Sequence, residues 1–229
     1  MNKRQPIRRS IGRPAVLACL TLFCALLLAS TAAHSDDDST APRARQPHLV
    51  RDIAPKTSDG LINVVVEIPA GTNAKWEVQK DSGLLEWEQR DGRPRVVRYL
   101  PYPGNYGMVP QTLLPKELGG DGDPLDVIVL GPALTRGSVV AARLIGVLKL
   151  LDRGEQDDKL IAVLPDGPLG NVTDLAELDA NYHGISDILR LWFSNYKGPG
   201  KMSAEGFGDR AKATEILEAA VAAYPRHED

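Results

Sequence analysis

Most of the apolar residues of this chain fall in short runs that are separated by turn-forming residues. Leu61–Ile68, Leu125–Leu130 and Leu160–Leu164 are rich in valine, isoleucine and leucine, and each has proline or glycine beside it. Short β-branched runs bounded in this way are typical of β-strands. Several such strands in series favour a small barrel or sandwich.

Other segments extend this pattern. Strand composition is also found in Lys75–Gln79 and Leu84–Gln89, which flank a Lys-Asp-Ser-Gly turn, in Val96–Leu100 and in Val139–Leu151. The last of these is long, and we expect it to bend near Gly146. Residues 101–115 contain four prolines and predict an ordered loop or a short strand.

Helical periodicity occurs only towards the C-terminus. Asp174 is a candidate N-cap for a short helix, and two amphipathic helices follow whose apolar residues we expect in the core. These residues are Ile185, Ile188, Leu189, Trp192 and Phe193 in the first helix, and Ala213, Ile216, Leu217, Ala220, Val221 and Tyr224 in the second. The chain has no glycine-rich strand-to-helix motif, which argues against a dinucleotide-binding fold.

Residues 1–33 have the three-part pattern of a secretory signal peptide. Five basic residues come first, the apolar run Ala15–Ala29 follows, and the small residues Ser30–Ala33 come last. An apolar run of about 15 residues is short for a membrane span, so an uncleaved anchor is the less favoured alternative. We therefore expect export to a periplasm or out of the cell, with no membrane attachment after cleavage.

The remainder of the chain divides into a linker and a domain. Residues 34–60 are rich in Ser, Asp, Thr, Pro and Arg and predict a flexible linker, in which order begins as early as Ile53, and residues 61–229 form the predicted domain. Both cysteines lie in the signal peptide, so the domain has no disulfide. Outside residues 1–33 the chain has 22 basic and 30 acidic residues, a net charge of −8. This charge and an aromatic content of 5% argue against nucleic-acid binding and favour cations as partners.

The most informative segment is an acidic turn at the start of a predicted strand. Asp121, Asp123 and Asp126 lie close together in sequence, and Gly122 and Pro124 allow the chain to bend between them. Three neighbouring carboxylates repel one another unless one is protonated or a hard cation such as Mg²⁺ binds them. On these residues alone a solvated acidic turn is as good an interpretation as a metal site.

Other polar clusters favour the metal site. They comprise Asp152, Asp157, Asp158 and Lys159; Glu67, Lys75 and Glu77; Arg95 and Arg98; Tyr102 and Tyr106; and Tyr196 and Lys197. Carboxylates for cations, together with lysine, arginine and tyrosine donors for a polyanion, are the groups that metal-assisted phosphoryl transfer to water requires.

From about Val64 to about Tyr224 the chain resembles the family I soluble inorganic pyrophosphatases. The segment Asp-Gly-Asp-Pro-Leu-Asp-Val at 121–127 matches that family's signature, and four shorter matches occur in the right order, at 66–69, 102–107, 146–149 and 195–197. The resemblance implies an α+β, mainly β fold, a five-stranded OB-type barrel flanked by C-terminal helices. It also implies hydrolysis of pyrophosphate to two phosphates with several Mg²⁺ ions, and a homo-oligomer.

The resemblance further implies roles for single residues. The metal ligands would be Asp121, Asp126, Asp152, Asp157 and Glu67, the last acting mostly through water. Asp123 would be the general base beside the attacking water. Phosphate would be bound by Lys75, Arg95, Tyr106, Lys159, Tyr196 and Lys197, with Glu77 and Tyr102 as polar residues of the cavity. Arg93 and Arg98 are alternative candidates for the phosphate-binding arginine. The additional acid Asp158 is expected to face solvent.

Two alternatives keep the same residues. One is another exported metal-dependent phosphohydrolase that acts on polyphosphate or a nucleotide, which would need a wider pocket. The other is a cation- or phosphate-binding module without turnover.

Overall fold

The computed structural model describes residues 46–114, 120 and 122–225. The predicted signal peptide at 1–33, residues 34–45 of the predicted linker and Asp121 lie outside the described residues. The elements are, in chain order, β1 (Ile62–Ile68), β2 (Trp76–Val78), β3 (Leu85–Trp87), β4 (Gln89–Arg90), β5 (Arg93–Pro94), β6 (Asn105–Met108), β7 (Asp126–Leu130), β8 (Val139–Asp152), β9 (Glu155–Gln156), β10 (Lys159–Val163), α1 (Leu175–Asn181), α2 (Ile185–Asn195), β11 (Met202–Gly208) and α3 (Arg210–Ala223). In this part of the chain no helix is both long and apolar enough to cross a membrane.

Five strands form a closed barrel. They pair in the order β1-β6-β7-β10-β8, and β8 pairs again with β1 to complete the circuit. The β7–β10 pair is parallel, whereas its neighbours in the circuit are antiparallel. This strand order is that of the OB fold, which confirms the predicted barrel.

The long strand β8 allows the barrel to close. Its first residues pair with β1, its middle pairs with β10, and its end pairs with β11. The register with β10 shifts between Leu144 and Gly146, so the strand bends by a bulge where the sequence predicted a bend. Gly107 in β6 is required by close packing, because a Cβ there would lie 1.9 Å from the carbonyl oxygen of Val65.

Two parts of the sheet differ from the sequence prediction. Val96–Leu100 is not a strand: Val96 forms only an isolated bridge to Ala74, and residues 98–100 are bends. The proline-rich stretch contains β6, a fully buried barrel strand, in agreement with the short strand predicted there. The edge strand β11 was missed because its sequence, MSAEGFG, has no run of β-branched residues.

The three helices occur where periodicity predicts them. Asp174 caps α1 by accepting a hydrogen bond of 2.9 Å from the Glu177 backbone N–H, as predicted. Leu189, Trp192 and Phe193 of α2 are buried in one hydrophobic core, and α3 packs against a second. The expectation that Ile188 is a core residue was wrong, since its side chain is exposed on α2.

Residues 46–60, which belong to the predicted flexible linker, are packed against the domain. His48 and Val50 are buried, and Val50 contacts Val65 and Met108 of the barrel in a small apolar cluster. The backbone N–H of Leu49 also donates to the carbonyl of Gly83 in the turn between β2 and β3. Residues 48–50 therefore contact the domain, although composition predicted order only from about Ile53.

Candidate active site

A polar cleft of about 320 Å³ lies between the β2–β3 hairpin and one end of the barrel. We call it the cleft. Its walls are formed mainly by ionisable side chains, which is unusual for an apolar ligand pocket. Of the residues predicted for the site, those that line the cleft are Glu67, Lys75, Glu77, Arg95, Tyr106, Asp123, Asp126, Asp157, Tyr196 and Lys197.

The floor of the cleft is built on the parallel strands β7 and β10. Asp126 is the first residue of β7, and Lys159 is the first residue of β10. The Lys159 side chain is only 1% exposed, and its ammonium lies 2.6 Å from Asp126 and 2.5 Å from Asp157. Burial disfavours the charged form of Lys159, but the two carboxylates outweigh burial and raise its pKa. Lys159 likewise lowers the pKa of Asp126 against the opposing effect of burial.

A second lysine joins Asp157 to Asp152. The Lys197 ammonium, just beyond the end of α2, lies 2.8 Å from Asp152 Oδ2 and 3.4 Å from Asp157 Oδ2. The other oxygen of Asp152, Oδ1, is buried and has no hydrogen-bond partner. A buried carboxylate oxygen without a partner is energetically unfavourable, and a bound cation would relieve it.

Asp123 lies at the rim of the cleft. Its side chain is 53% exposed and forms an ion pair with Lys80, which also donates a hydrogen bond of 3.1 Å to the carbonyl of Gly122. Lys80 comes from the turn between β2 and β3, so this turn is tied to the acidic turn. The third predicted acid, Asp121, is among the residues that are not described.

Glu67 lies deep in the cleft, near the end of β1. Burial raises the pKa of its carboxyl to about 8, and nearby Lys75 only partly opposes this. Its Oε1 accepts a hydrogen bond of 2.7 Å from the backbone N–H of Val78 in β2. The group therefore holds a proton at neutral pH unless a further positive charge approaches it.

One wall of the cleft is basic and aromatic. The ammonium of Lys75 lies 5.4 Å from the centre of the Tyr106 ring, and 3.6 Å from Glu77. Arg95 also lines this wall, where Glu88 holds its guanidinium. The competing arginines, Arg93 and Arg98, are exposed and are not among the residues that line the cleft.

Three tyrosines pack together behind the basic wall. Tyr102 is buried, and its ring centre lies 5.3 Å from that of Tyr106 and 6.3 Å from that of Tyr196. Burial raises the pKa of both Tyr102 and Tyr106 well above the ordinary value, so both remain neutral hydrogen-bond donors. Tyr196 stacks on Trp192 of α2 at 4.6 Å, which orients the Tyr196 ring where α2 ends.

The described residues fit a cation site whose carboxylates form ion pairs with lysines. Within the described ranges, no three acidic, histidine or cysteine side chains are gathered closely enough to form a metal site by themselves. Asp126, Asp157 and Asp152 are nevertheless linked in a row by Lys159 and Lys197. Oxygen ligands of this kind, with one buried oxygen unpartnered, suit a hard divalent cation.

Sequence reasoning missed two charged residues of the cleft and misjudged one acid beside it. Lys80 and Glu88 line the cleft, and nothing in their local sequence distinguishes them from surface charges. Asp158 was expected to face solvent, and this was wrong: it is 4% exposed and accepts a backbone hydrogen bond. Its burial follows from pairing between β8 and the β9–β10 segment, which the sequence does not reveal.

A cleft with a row of carboxylates on one side and lysine, arginine and tyrosine on the other defines the class of site that binds a polyanion together with cations. Comparisons with known proteins narrow this class. Residues 64–225 match the family model described as Inorganic pyrophosphatase. The protein named Inorganic pyrophosphatase from Ralstonia nicotianae is 38% identical over 173 residues, which cover 72% of this chain and 91% of that protein.

Solved structures of inorganic pyrophosphatases are also similar to this chain. An inorganic pyrophosphatase from Helicobacter pylori is similar with a TM-score of 0.64 and 36% identity, over 75% of this chain and 98% of that chain. A type I inorganic pyrophosphatase from P. falciparum gives a TM-score of 0.71 at 26% identity, over 77% of this chain; the match spans 62% of the length of that longer chain. The present chain belongs to the inorganic pyrophosphatase family.

Proposed function

We propose that this protein hydrolyses inorganic pyrophosphate to two phosphate ions in the cleft, with Mg²⁺ as the metal, and that it does so after export. The family assignment supports an inorganic diphosphatase. The observation that carries the proposal is the row of Asp126, Asp157 and Asp152 opposite a basic wall, because pyrophosphate and its cations need both surfaces.

The carboxylates of this row are the proposed ligands for Mg²⁺, with Asp121 and Glu67 as further candidates. Bound Mg²⁺ would neutralise charge on the two phosphates and make a coordinated water easier to deprotonate. Protonated Glu67 adds no negative charge to the cleft, and an approaching cation would favour its ionised form. Lys159 and Lys197 then hold Asp157 from two sides and limit its movement.

Asp123 is the proposed general base. Its carboxylate is half-exposed at the rim, so it is accessible to a water that enters with the substrate. Lys80 pairs with this carboxylate at the rim, and a carboxylate in this position can accept a proton from that water.

The basic wall would bind the phosphates. Arg95 presents a guanidinium held by Glu88, and Lys75 presents an ammonium beside Tyr106. Neutral tyrosine hydroxyls add donors that do not change with pH in the physiological range. Such donors stabilise the charge that builds up on the leaving phosphate.

Phosphate release by the purified protein tests the activity. We expect rapid release from pyrophosphate with Mg²⁺, and none above background when a chelator replaces the metal. Inorganic triphosphate and ATP serve as comparison substrates, and comparable rates with either would favour the broader phosphohydrolase. Binding of pyrophosphate without release would contradict the proposed hydrolysis.

Export and assembly need separate tests. Export is supported by the pattern at residues 1–33, and N-terminal sequencing of protein recovered outside the cytoplasm should find a terminus close to residue 34. A full-length protein that stays in the cytoplasm would contradict export. We also propose a homo-oligomer, which sedimentation of the purified protein would test; a monomer at micromolar concentration would contradict it.

A further inference from the structure

A buried acid lies beside the cleft without lining it. Asp158 is 4% exposed, and its carboxylate accepts a hydrogen bond of 3.0 Å from the Leu150 backbone N–H and one of 2.8 Å from the Gln156 side chain. Asp158 directly precedes β10, so the first hydrogen bond connects the start of β10 to β8 and the second connects it to β9.

These bonds interrupt a regular β-ladder. β8 pairs with β9 at Leu151 and Gln156, and with β10 at Leu148 and Lys159, so Asp157 lies opposite Leu150. The Asp157 N–H donates to the Leu150 carbonyl at 2.9 Å. In a regular antiparallel pair the Leu150 N–H would return a bond to the Asp157 carbonyl. Here it donates to the side chain of Asp158 instead.

Because the Leu150 N–H donates to the Asp158 side chain and not to a backbone carbonyl, the backbone at Asp157 is fixed. That residue is held on both sides: its own N–H is bonded to Leu150, and the next residue is bonded to the same Leu150. The Asp157 side chain is thereby kept in the cleft, between the ammonium groups of Lys159 and Lys197.

We propose that Asp158 is a positioning residue for the cation site. Its hydrogen bond to Leu150 sets the orientation of Asp157 towards Asp126 and Asp152, and so sets the affinity of the cleft for Mg²⁺. The inference rests on the proposed function, since it takes these carboxylates as the metal ligands. Mutation of groups that hydrogen-bond to metal ligands and orient them commonly changes metal affinity by about 10–100-fold.

Calorimetric titration of the purified protein with MgCl₂, without substrate, tests the proposal. Asp158→Ala removes the acceptor, Asp158→Asn removes the charge but keeps an acceptor oxygen, and Glu155→Ala removes a charge from an exposed position in the same turn. We expect Asp158→Ala to weaken Mg²⁺ binding by about 10-fold or more. Asp158→Asn should restore most of the affinity, and Glu155→Ala should leave it unchanged.

The other outcomes overturn the proposal. Unchanged Mg²⁺ affinity in Asp158→Ala, even with a lowered melting temperature, would make Asp158 a purely structural residue. Equal losses in Asp158→Ala and Asp158→Asn, or an equal loss in Glu155→Ala, would assign the effect to charge. If the alanine variant does not fold, Asp158→Val gives the same comparison with a side chain that favours strands. Because the titration needs no turnover, absence of pyrophosphatase activity in the parent would contradict the proposed function alone.

Discussion

Lys159 and Asp126 form an ion pair at the first residues of two neighbouring parallel strands, 2.6 Å apart, in which the lysine side chain is 1% exposed and the aspartate side chain 27% exposed. The same ammonium also contacts Asp157, so one buried positive charge serves two carboxylates. Breaking a buried pair by removing one partner leaves charge unpaired and is strongly destabilising.

Replacing Lys159 by methionine should therefore lower the free energy of unfolding by roughly 3–5 kcal/mol in metal-free protein. Denaturant unfolding measures this, and Mg²⁺ should recover part of the loss by binding the released carboxylates. The matched control is Lys56→Met, whose pair with Glu218 is exposed, and we expect a change below about 1 kcal/mol there. Equal losses of unfolding free energy in the two variants would show that Lys159 contributes no more to stability than an exposed ion-paired lysine.

Asp123→Asn should lower kcat by roughly 10²–10⁴-fold, which is the usual effect of losing a general base. The side chain is 53% exposed, so the variant should unfold at nearly the parental temperature. Steady-state kinetics at saturating Mg²⁺ measures the effect, with the exposed Asp166→Asn as control. Turnover close to that of the parent would exclude Asp123 from the reaction.

The arginine that contacts phosphate can be identified by three parallel variants. Arg95→Gln should raise KM for pyrophosphate by roughly 10–100-fold, as expected from the loss of a charged hydrogen bond. Arg93→Gln and Arg98→Gln should leave KM within about two-fold of the parent, because both side chains are exposed. A larger effect at either exposed position would reassign the contact.

The raised pKa of Glu67 predicts how stability depends on pH. Between its ordinary value of 4.5 and about 8, the folded state holds a proton that the unfolded state has lost. The contribution of Glu67 to stability is thus complete below pH 4.5, declines as pH rises, by at most about 1.4 kcal/mol per pH unit, and is lost above about pH 8.

Unfolding of metal-free protein at several pH values measures this slope. Glu67→Gln keeps an oxygen for the Val78 N–H and should remove the Glu67 contribution from the slope. An identical pH profile in parent and variant would contradict a buried, protonated Glu67.

Sequence patterns predicted the parts of the fold that depend on local composition. Continuous apolar runs gave β1, β7, β8 and β10, and helical spacing gave α1 to α3. The short buried strand β6 was less clear because prolines and glycines surround it, and β11 was missed because its stability comes from pairing with β8. Val96–Leu100 has strand composition but finds only one bridging partner, at Ala74.

The candidate site was predicted through motif resemblance, and composition alone left a solvated turn equally open. The motif resemblance identified the residues for which a direct role is proposed. Most of the described ones line the cleft, and Tyr102, Asp152 and Lys159 contact residues that line it. The resemblance did not give Lys80, Glu88 or Asp158. Lys80 pairs with an acid distant in sequence, Glu88 pairs with Arg95 across a short hairpin, and Asp158 acts through a broken ladder. None of these contacts leaves a signal in the local sequence.

The parallel pairing of β7 with β10 has a kinetic consequence. Asp126 and Lys159 are 33 positions apart and meet only when the chain between them has crossed over and β10 has found its place. Contacts of this separation form late, after the entropy of closing the intervening segment has been lost. Mg²⁺ should therefore recognise the finished barrel and act mainly by slowing its unfolding, while leaving the rate of the first folding events unchanged.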